Sequence, residues 1–233
     1  VRIASRNKSI DPEKTLRYSK EALALAQQLK LINGIFRSFE VMTNGVRNAG
    51  LQKEFLPELD RWEKISDSIG DLHQKAKSYN FRGTMLMDLG NYSKAAECYF
   101  KAMNIDEKLN DKHSLASDYG NLSLVYESMK KYDMALEYIN KAMVINKEEG
   151  DTQGYMNAIG NLSNIYSHMG NNPKALIYGL EFLKMAEEAH HNTFVASALC
   201  NVGSIYDEMG ETDKAIEFYT RAMPMEEELD NDE

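Results

Sequence analysis

Asparagine recurs at one position in three stretches of the chain that start forty residues apart. Asn121, Asn161 and Asn201 hold this position, although asparagine is roughly half a kcal/mol worse than alanine as a helix former. An amide offers both a hydrogen-bond donor and an acceptor, so such a column can hold the backbone of a bound peptide whatever its sequence. The same amides can instead bond neighbouring helices into a structural ladder. The sequence leaves both interpretations open.

These asparagines belong to a wider polar stripe on the first helix of each predicted unit. Its positions follow the spacing i, i+4, i+7, i+11, which places them on one helical face, opposite the apolar face. Three apolar residues interrupt the stripe, Val41, Phe81 and Leu124, either as pockets for ligand anchors or as packing of the groove floor. The predicted peptide-binding residues are Arg37, Asn44, Asn48, Lys77, Asn80, Phe81, Thr84, Asn121, Asn157, Asn161, Asn164, His168, Asn201 and Ser204.

The stretches that carry the stripe also define the organisation of the chain. The clearest copies begin at Ala76, Ala116, Met156 and Ala196. A fixed period in this range is typical of a solenoid, in which each unit buries its apolar face against its neighbours. The predicted division is a partial repeat over 1–35, an irregular repeat over 36–75, three repeats over 76–115, 116–155 and 156–195, and a last repeat with an acidic tail over 196–233, all in one array.

The unit from Ala196 shows what each copy encodes. Leu199, Val202 and Ile205 fall on one helical face, and Gly210 then ends the helix. A second helix is predicted from about Asp213. Each unit is therefore expected to be a helical hairpin, and the chain to be all-α.

Small residues mark the places where the two helices of a hairpin must come close. Gly83, Ser123, Ser163 and Gly203 form one column, and Ala95, Ala135, Ala175 and Ala215 form another. Large residues lie between them: Leu86, Tyr126, Tyr166 and Tyr206. The pattern resembles the tetratricopeptide repeat family, whose consensus spacing is matched by Gly203, Tyr206, Gly210, Ala215, Tyr219 and Ala222.

The resemblance implies a right-handed superhelical solenoid of antiparallel helix hairpins, with the polar stripe along a concave ligand groove. The period of forty departs from the usual value of about 34. In this the chain is similar to the extended arrays of a spindle-orientation adaptor, kinesin light chains and bacterial Rap-type regulators. Its opening, with Asp11 and Pro12 before an alanine-rich helix, also resembles arrays that precede bacterial sensor kinases. The chaperone-type carboxylate clamp of the family is disfavoured, because Asn80, Gly120 and Gly160 stand where a lysine is needed.

Several residues predict local irregularity. Trp62 replaces the second-helix alanine in a unit that also carries Pro57, so that helix is expected to start late or to kink. Pro224 is expected to end or bend the last helix early. We expect exposed apolar side chains at the end of the array, at Ile205, Phe218 or Met223. A column of methionines, Met129, Met169 and Met209, is interpreted as core filler.

Composition disfavours several classes of function. The net charge of -9 resides mostly in the last eight residues, which carry six acids, so the body lacks the basic stripe of a nucleic-acid-binding protein. No apolar run is long enough for a bilayer span, which predicts no membrane contact within this segment. Cys98 and Cys200 lie in non-adjacent units, which argues against a disulfide. The expected compartment is the cytoplasm, or the periplasm if an export signal was removed.

No set of residues predicts catalysis, a metal site or a cofactor. His190 and His191 are adjacent, so their rings point in different directions on a helix end. The leading hypothesis is a non-catalytic scaffold that binds a protein or peptide in the groove. The alternative is a sensory or regulatory array of a larger bacterial signalling protein whose output domain is missing. An enzyme such as a Rap-like phosphatase finds no supporting residues. Self-association through uncapped array ends is a further expectation.

Overall fold

The computed structural model describes residues 12–231, and within that range all regular structure is α-helical. The helices in chain order are α1 (Pro12–Gln28), α2 (Ile32–Asn48), α3 (Gln52–Ile69), α4 (Leu72–Asp88), α5 (Tyr92–Leu109), α6 (Lys112–Ser128), α7 (Tyr132–Glu149), α8 (Thr152–His168), α9 (Asn172–Glu188), α10 (Asn192–Glu208) and α11 (Thr212–Asn231).

The helices fall into two compact units, Val1–Asp111 and Lys112–Glu233. The first unit contains α1 to α5 and the second contains α6 to α11. Within each unit, consecutive helices pack against one another across short turns, as expected for antiparallel hairpins. The predicted all-α fold of stacked helix pairs is therefore confirmed, while the exact repeat boundaries stay a prediction.

The helix ends follow from local sequence signals. Gly210 adopts a left-handed conformation, with φ of 75°, directly after α10, as its predicted role of helix terminator requires. At the start of α4 the Asp71 side chain accepts a hydrogen bond from the Gln74 N–H, at 3.0 Å. Asp151 caps α8 in the same way through the Gly154 N–H, at 2.9 Å. Each of these carboxylates thus caps the N-terminus of the helix that follows it.

The small-residue column allows the two helices of a hairpin to pack closely in two different ways. In the second unit, the Ser123 hydroxyl donates a hydrogen bond to the Ala135 carbonyl at 2.9 Å, and Ser163 does the same to Ala175 at 2.8 Å. Where glycine stands instead, a tyrosine ring occupies the space that a side chain would need, as at Gly203. Whether serine or glycine occupies this column thus goes with the group that the partner helix places opposite it.

Aromatic pairs fill the space between hairpin helices in the second unit. Tyr126 stacks on Tyr138 with ring centroids 5.4 Å apart, and Tyr166 stacks on Tyr178 at 5.5 Å. Tyr126 and Tyr166 are the large residues that the repeat pattern places between the two small columns, and Tyr138 and Tyr178 are their partners on the second helices. The predicted role of Tyr126 and Tyr166 as gap fillers is confirmed.

Trp62 is the centre of an aromatic cluster in the first unit. It is fully buried, stacks on Phe39 at 5.4 Å and contacts Phe81 at 5.3 Å. The predicted late start of its helix is wrong, because α3 begins at Gln52 and contains Pro57. Pro57 is the sixth residue of α3, so it removes the bond to the Lys53 carbonyl within the first two turns and leaves the rest of the helix bonded.

Two expectations for the end of the array differ from the structure. Pro224 does not end α11, which continues to Asn231. Ile205 is fully buried, whereas Met223 is 58% exposed as expected and Phe218 is half-buried against Tyr206. An apolar face of the last helix is therefore accessible, though Ile205 does not belong to it.

The methionine column does not lie in the core. Met169 and Met209 are each 40% exposed, because they are the C-cap residues just beyond α8 and α10. No helix among the described residues has the length and apolar character needed to cross a membrane. Neither Cys98 nor Cys200 forms a disulfide bond within residues 12–231.

Candidate functional site

In the first unit, the polar stripe runs along α2 and α4. Arg37, Asn44 and Asn48 are exposed on α2, and Lys77 is exposed on α4. Phe81 is half-buried against Trp62, which favours the groove-floor interpretation over an open pocket for that side chain. Val41 is buried as well, whereas Leu124 in the second unit is exposed.

Ion pairs join the two first helices of this unit. The Lys77 ammonium lies 2.9 Å from Glu40 Oε1, and Arg47 Nε lies 2.7 Å from Asp88 Oδ2. The hydrogen bond to Asp88 raises the pKa of Arg47. Lys77 is therefore a bridge between neighbouring repeats as well as a member of the predicted stripe.

Thr84 and Asn80 are the deeper members of the stripe in this unit. The Thr84 hydroxyl donates to the Asn80 carbonyl at 3.0 Å and lies 3.1 Å from the Tyr99 hydroxyl. The Asn80 side-chain oxygen is buried and has no hydrogen-bond partner within residues 12–231. A buried amide oxygen without a donor costs free energy, so Asn80 contributes to this face with its other atoms and not with its side-chain oxygen.

The second unit contains a cleft between α6, α7 and α8 with a volume of about 120 Å³. Three stripe positions line it: Ser117 on α6, at the same repeat position as Lys77 and Asn157, and Asn157 and Asn161 one turn apart on α8. Gly120 forms part of its wall, and a Cβ placed there would meet no atom within 4 Å. The cleft therefore exposes helical backbone beside two amide side chains. Its remaining lining comes from Ala116, Ile139, Ala142, Asn146, Asp151, Gly154 and Ala158.

The asparagine column is half-buried throughout the second unit. Asn121, Asn161 and Asn201 are each partly accessible, and no side-chain hydrogen bond of these three residues occurs within the described range. The hydrogen-bonded ladder that the sequence allowed is thus not formed. The neighbouring stripe residues Asn164 and Ser204 are half-buried and exposed respectively, so this face is at least partly accessible to solvent along α6, α8 and α10.

His168 bonds to a carboxylate of the preceding repeat. Its Nδ1 lies 2.8 Å from Oε1 of Glu127 on α6. Burial raises the pKa of Glu127, whose side chain is only 11% exposed, while the hydrogen bond from His168 opposes that rise. On the next helix pair, the Ser167 hydroxyl donates to Glu208 at 2.8 Å. These bonds connect first helices of successive repeats at the end of the stripe.

Sequence reasoning missed the acidic partners of these inter-repeat bonds. Glu40 and Glu127 were not predicted as functional, and Asp88 and Glu208 were predicted only as the last, i+11, positions of the stripe; each of the four contacts a residue about one repeat away. The signal that could have found them is a polar pair separated by roughly the repeat period. Such pairs set the spacing of adjacent first helices and so position the stripe.

Two segments of the sequence, residues 74–148 and 154–228, match the family model described as tetratricopeptide repeat. The chain belongs to the tetratricopeptide repeat family. Tetratricopeptide arrays are protein-interaction modules and are generally non-catalytic. No curated protein matches the chain in sequence.

Solved tetratricopeptide-like structures share the fold. BtubC from P. vanneervenii superposes with a TM-score of 0.80 at 16% identity, covering 94% of this chain and 92% of that one. A Rap protein complexed with competence and sporulation factor gives 0.75 at 17% identity, covering 99% of this chain and 63% of that one. A STAND protein with a tetratricopeptide repeat sensor, from Pyrococcus horikoshii, superposes with a TM-score of 0.74 at 19% identity, covering 98% of this chain and 37% of that one. At these identities the likeness shows the fold alone.

Proposed function

We propose that this tetratricopeptide protein is a non-catalytic scaffold that binds an extended segment of a partner protein along its polar stripe. The observation that carries the proposal is the cleft of the second unit, where Asn157 and Asn161 stand beside the open backbone at Gly120. Amides present donor and acceptor groups together, which suits the alternating N–H and C=O groups of a peptide.

The size of the cleft favours a peptide over a small molecule. Pockets for drug-sized ligands usually have volumes of about 300–1,000 Å³, several times that of this cleft. A volume of about 120 Å³ suits one side chain of a longer ligand. The rest of such a ligand would follow the stripe along α8 and α10, where Asn164, Asn201 and Ser204 are accessible.

The free asparagine column supports the same proposal. Asparagine costs helix stability at three equivalent positions, and within the second unit that cost is not repaid by hydrogen bonds between the helices. Hydrogen bonds to a ligand backbone would offset it. The solved complex of a Rap protein with competence and sporulation factor supports ligand binding as a use to which this fold can be put.

Replacement of Asn121, Asn161 and Asn201 by alanine tests the proposal. The probe is a peptide selected from an array for binding to the full chain, titrated by calorimetry. Each lost neutral hydrogen bond is worth about 0.5–1.5 kcal/mol, so the triple variant is expected to bind roughly tenfold to several-hundredfold less tightly. Its melting temperature should stay level or rise slightly, because alanine is the better helix former.

Asn140→Ala is the matched control. Asn140 is an exposed asparagine on α7, a second helix, where its amide only donates to the Leu136 carbonyl. Peptide affinity should be unchanged in this variant. A triple variant that loses stability while it keeps its peptide affinity would overturn the proposal.

A second candidate is a sensory or regulatory array within a longer signalling protein. It is favoured by the fold likeness to the STAND protein whose tetratricopeptide part is a sensor. Here the bound segment would act as a signal rather than as a cargo. The complete reading frame of the gene distinguishes the two, since a kinase, cyclase or helix-turn-helix segment in the same frame would favour the sensory role.

A further inference from the structure

A histidine and two aspartates converge where α5 turns towards the next helix. One ring nitrogen of His73 and one carboxylate oxygen each of Asp106 and Asp111 lie within 4.8 Å of one another. The His73 Nδ1 is 3.5 Å from Asp111 Oδ2. We propose that His73, Asp106 and Asp111 form a binding site for a divalent transition-metal cation of the zinc type.

The backbone brings the two carboxylates together. Asn110 adopts a left-handed conformation, with φ of 53°, and the Asp111 N–H donates to the Asp106 carbonyl at 3.0 Å. This turn folds Asp111 back over the last turn of α5, where Asp106 is 2% exposed. His73, in the first turn of α4, reaches the pair from the outside with a side chain that is 58% exposed.

The donor set suits a transition metal better than calcium or magnesium. One imidazole nitrogen and two carboxylate oxygens form the kind of three-ligand set that binds zinc with an open fourth position for water. A divalent cation would also balance the negative charge of the two neighbouring carboxylates, one of which is almost fully buried. The exposed imidazole can rotate to complete the coordination without disturbing either helix.

The next repeat provides an internal comparison. His113 Nδ1 lies 3.6 Å from Asp151 Oδ2, and the Asp151 N–H donates to the Asn146 carbonyl at 2.8 Å. The turn is therefore the same, but an amide replaces the buried carboxylate. A neutral amide contributes much less to zinc affinity than a carboxylate, so the proposal assigns the metal to the His73 turn and not to the His113 turn.

Calorimetric titration of the full chain with zinc ion alone, in a non-chelating buffer, tests the proposal. One saturable site is expected. Asp106→Asn converts the turn into the arrangement of the next repeat, and His73→Gln introduces the residue that the chain itself carries at the equivalent Gln153. Each should weaken zinc binding at least about tenfold, since even changes to groups behind the ligands cost about 10–100-fold.

His113→Gln is the matched control and should leave zinc affinity unchanged. Circular dichroism of each variant establishes that it is folded, and if Asp106→Asn unfolds the chain, His73→Gln carries the test. Zinc should also raise the melting temperature of the wild-type chain and not that of the His73 variant. The proposal is overturned if the wild-type chain shows no saturable zinc binding, or if His113→Gln weakens binding as much as His73→Gln does.

Discussion

Gly83 on α4 lies against the ring of Tyr99 on α5, so closely that a Cβ at Gly83 would stand 2.7 Å from the Tyr99 Cε1 atom. The approach is tighter than side-chain carbons adopt, and the ring is held by burial and by its contact with Thr84. The glycine is therefore required by the partner helix and not by the backbone conformation of α4.

Gly83→Ala should destabilise the protein by about 1–3 kcal/mol, the usual cost of overpacking a core, although alanine is the better helix former. Gly120→Ala is the matched control on α6. A Cβ at Gly120 would meet no atom within 4 Å, so the Gly120→Ala variant should be more stable than the wild type by about 1 kcal/mol. Urea unfolding measures both. Equal stabilisation by the two changes would show that the Tyr99 ring moves aside freely.

Trp62→Ala should cost about 3–5 kcal/mol, even though it restores the residue that Ala102 and Ala142 hold at the same repeat position. The reason is the cavity left among Phe39, Phe81 and the rest of the cluster around the indole. Trp62→Phe should cost much less, because the buried indole N–H has no hydrogen-bond partner within residues 12–231. Denaturant midpoints of the two variants give the comparison. An alanine variant as stable as the wild type would refute the prediction that the indole fills a cavity the cluster cannot close.

Glu127 should make stability pH-dependent in the acid range. Burial raises its pKa in the folded protein above the ordinary value of 4.5, so the folded chain binds this proton more tightly than the unfolded chain does. The associated stabilisation is complete below pH 4.5 and is lost as the pH rises through the raised folded pKa. Glu127→Gln should remove that pH dependence. Unfolding free energies measured at a series of pH values provide the test.

His168→Gln offers a second measurement on the same pair. His168 lowers the pKa of Glu127 through their hydrogen bond, so its removal should move the Glu127 transition to higher pH. NMR titration of the Glu127 carboxyl reports the shift directly. A Glu127 transition at the same pH in both proteins would mean that the hydrogen bond is not formed in solution.

Tyr99 should contribute to unfolding at alkaline pH. Burial raises its pKa from 10.0 to about 12, so the folded chain retains a phenolic proton that the unfolded chain releases. The corresponding stabilisation is present below pH 10 and is lost as the pH rises towards 12. Tyr99→Phe should flatten this part of the stability curve. The difference in tyrosinate absorbance between the two proteins during alkaline titration measures the pKa.

Local features of the fold could be predicted from the sequence because each depends on a few neighbouring residues. The helix stop at Gly210 and the caps at Asp71 and Asp151 are decided within one turn of chain. Helical periodicity likewise predicted that the stripe is polar and accessible. The same local reasoning failed at Pro224, where a strong helix breaker did not end α11.

Which stripe residues meet could not be predicted in this way. Asn157 and Asn161 line the cleft of the second unit with Ser117, whereas Asn121 does not, although the repeat pattern treats the asparagines alike. The difference arises from how α6, α7 and α8 pack. The Glu127–His168 bond likewise depends on the distance between two first helices.

The repeat period, the helix hairpins and the accessible polar face were thus determined by the sequence alone, because periodicity and helix ends are properties of short stretches of chain. Tertiary structure decided the side-chain partners. Glu127 and His168 are 41 residues apart in the chain, yet their side chains bond at 2.8 Å because two first helices lie next to each other. The reason is that the free energy of a buried charge depends on every group packed around it, and those groups come from helices distant in the chain.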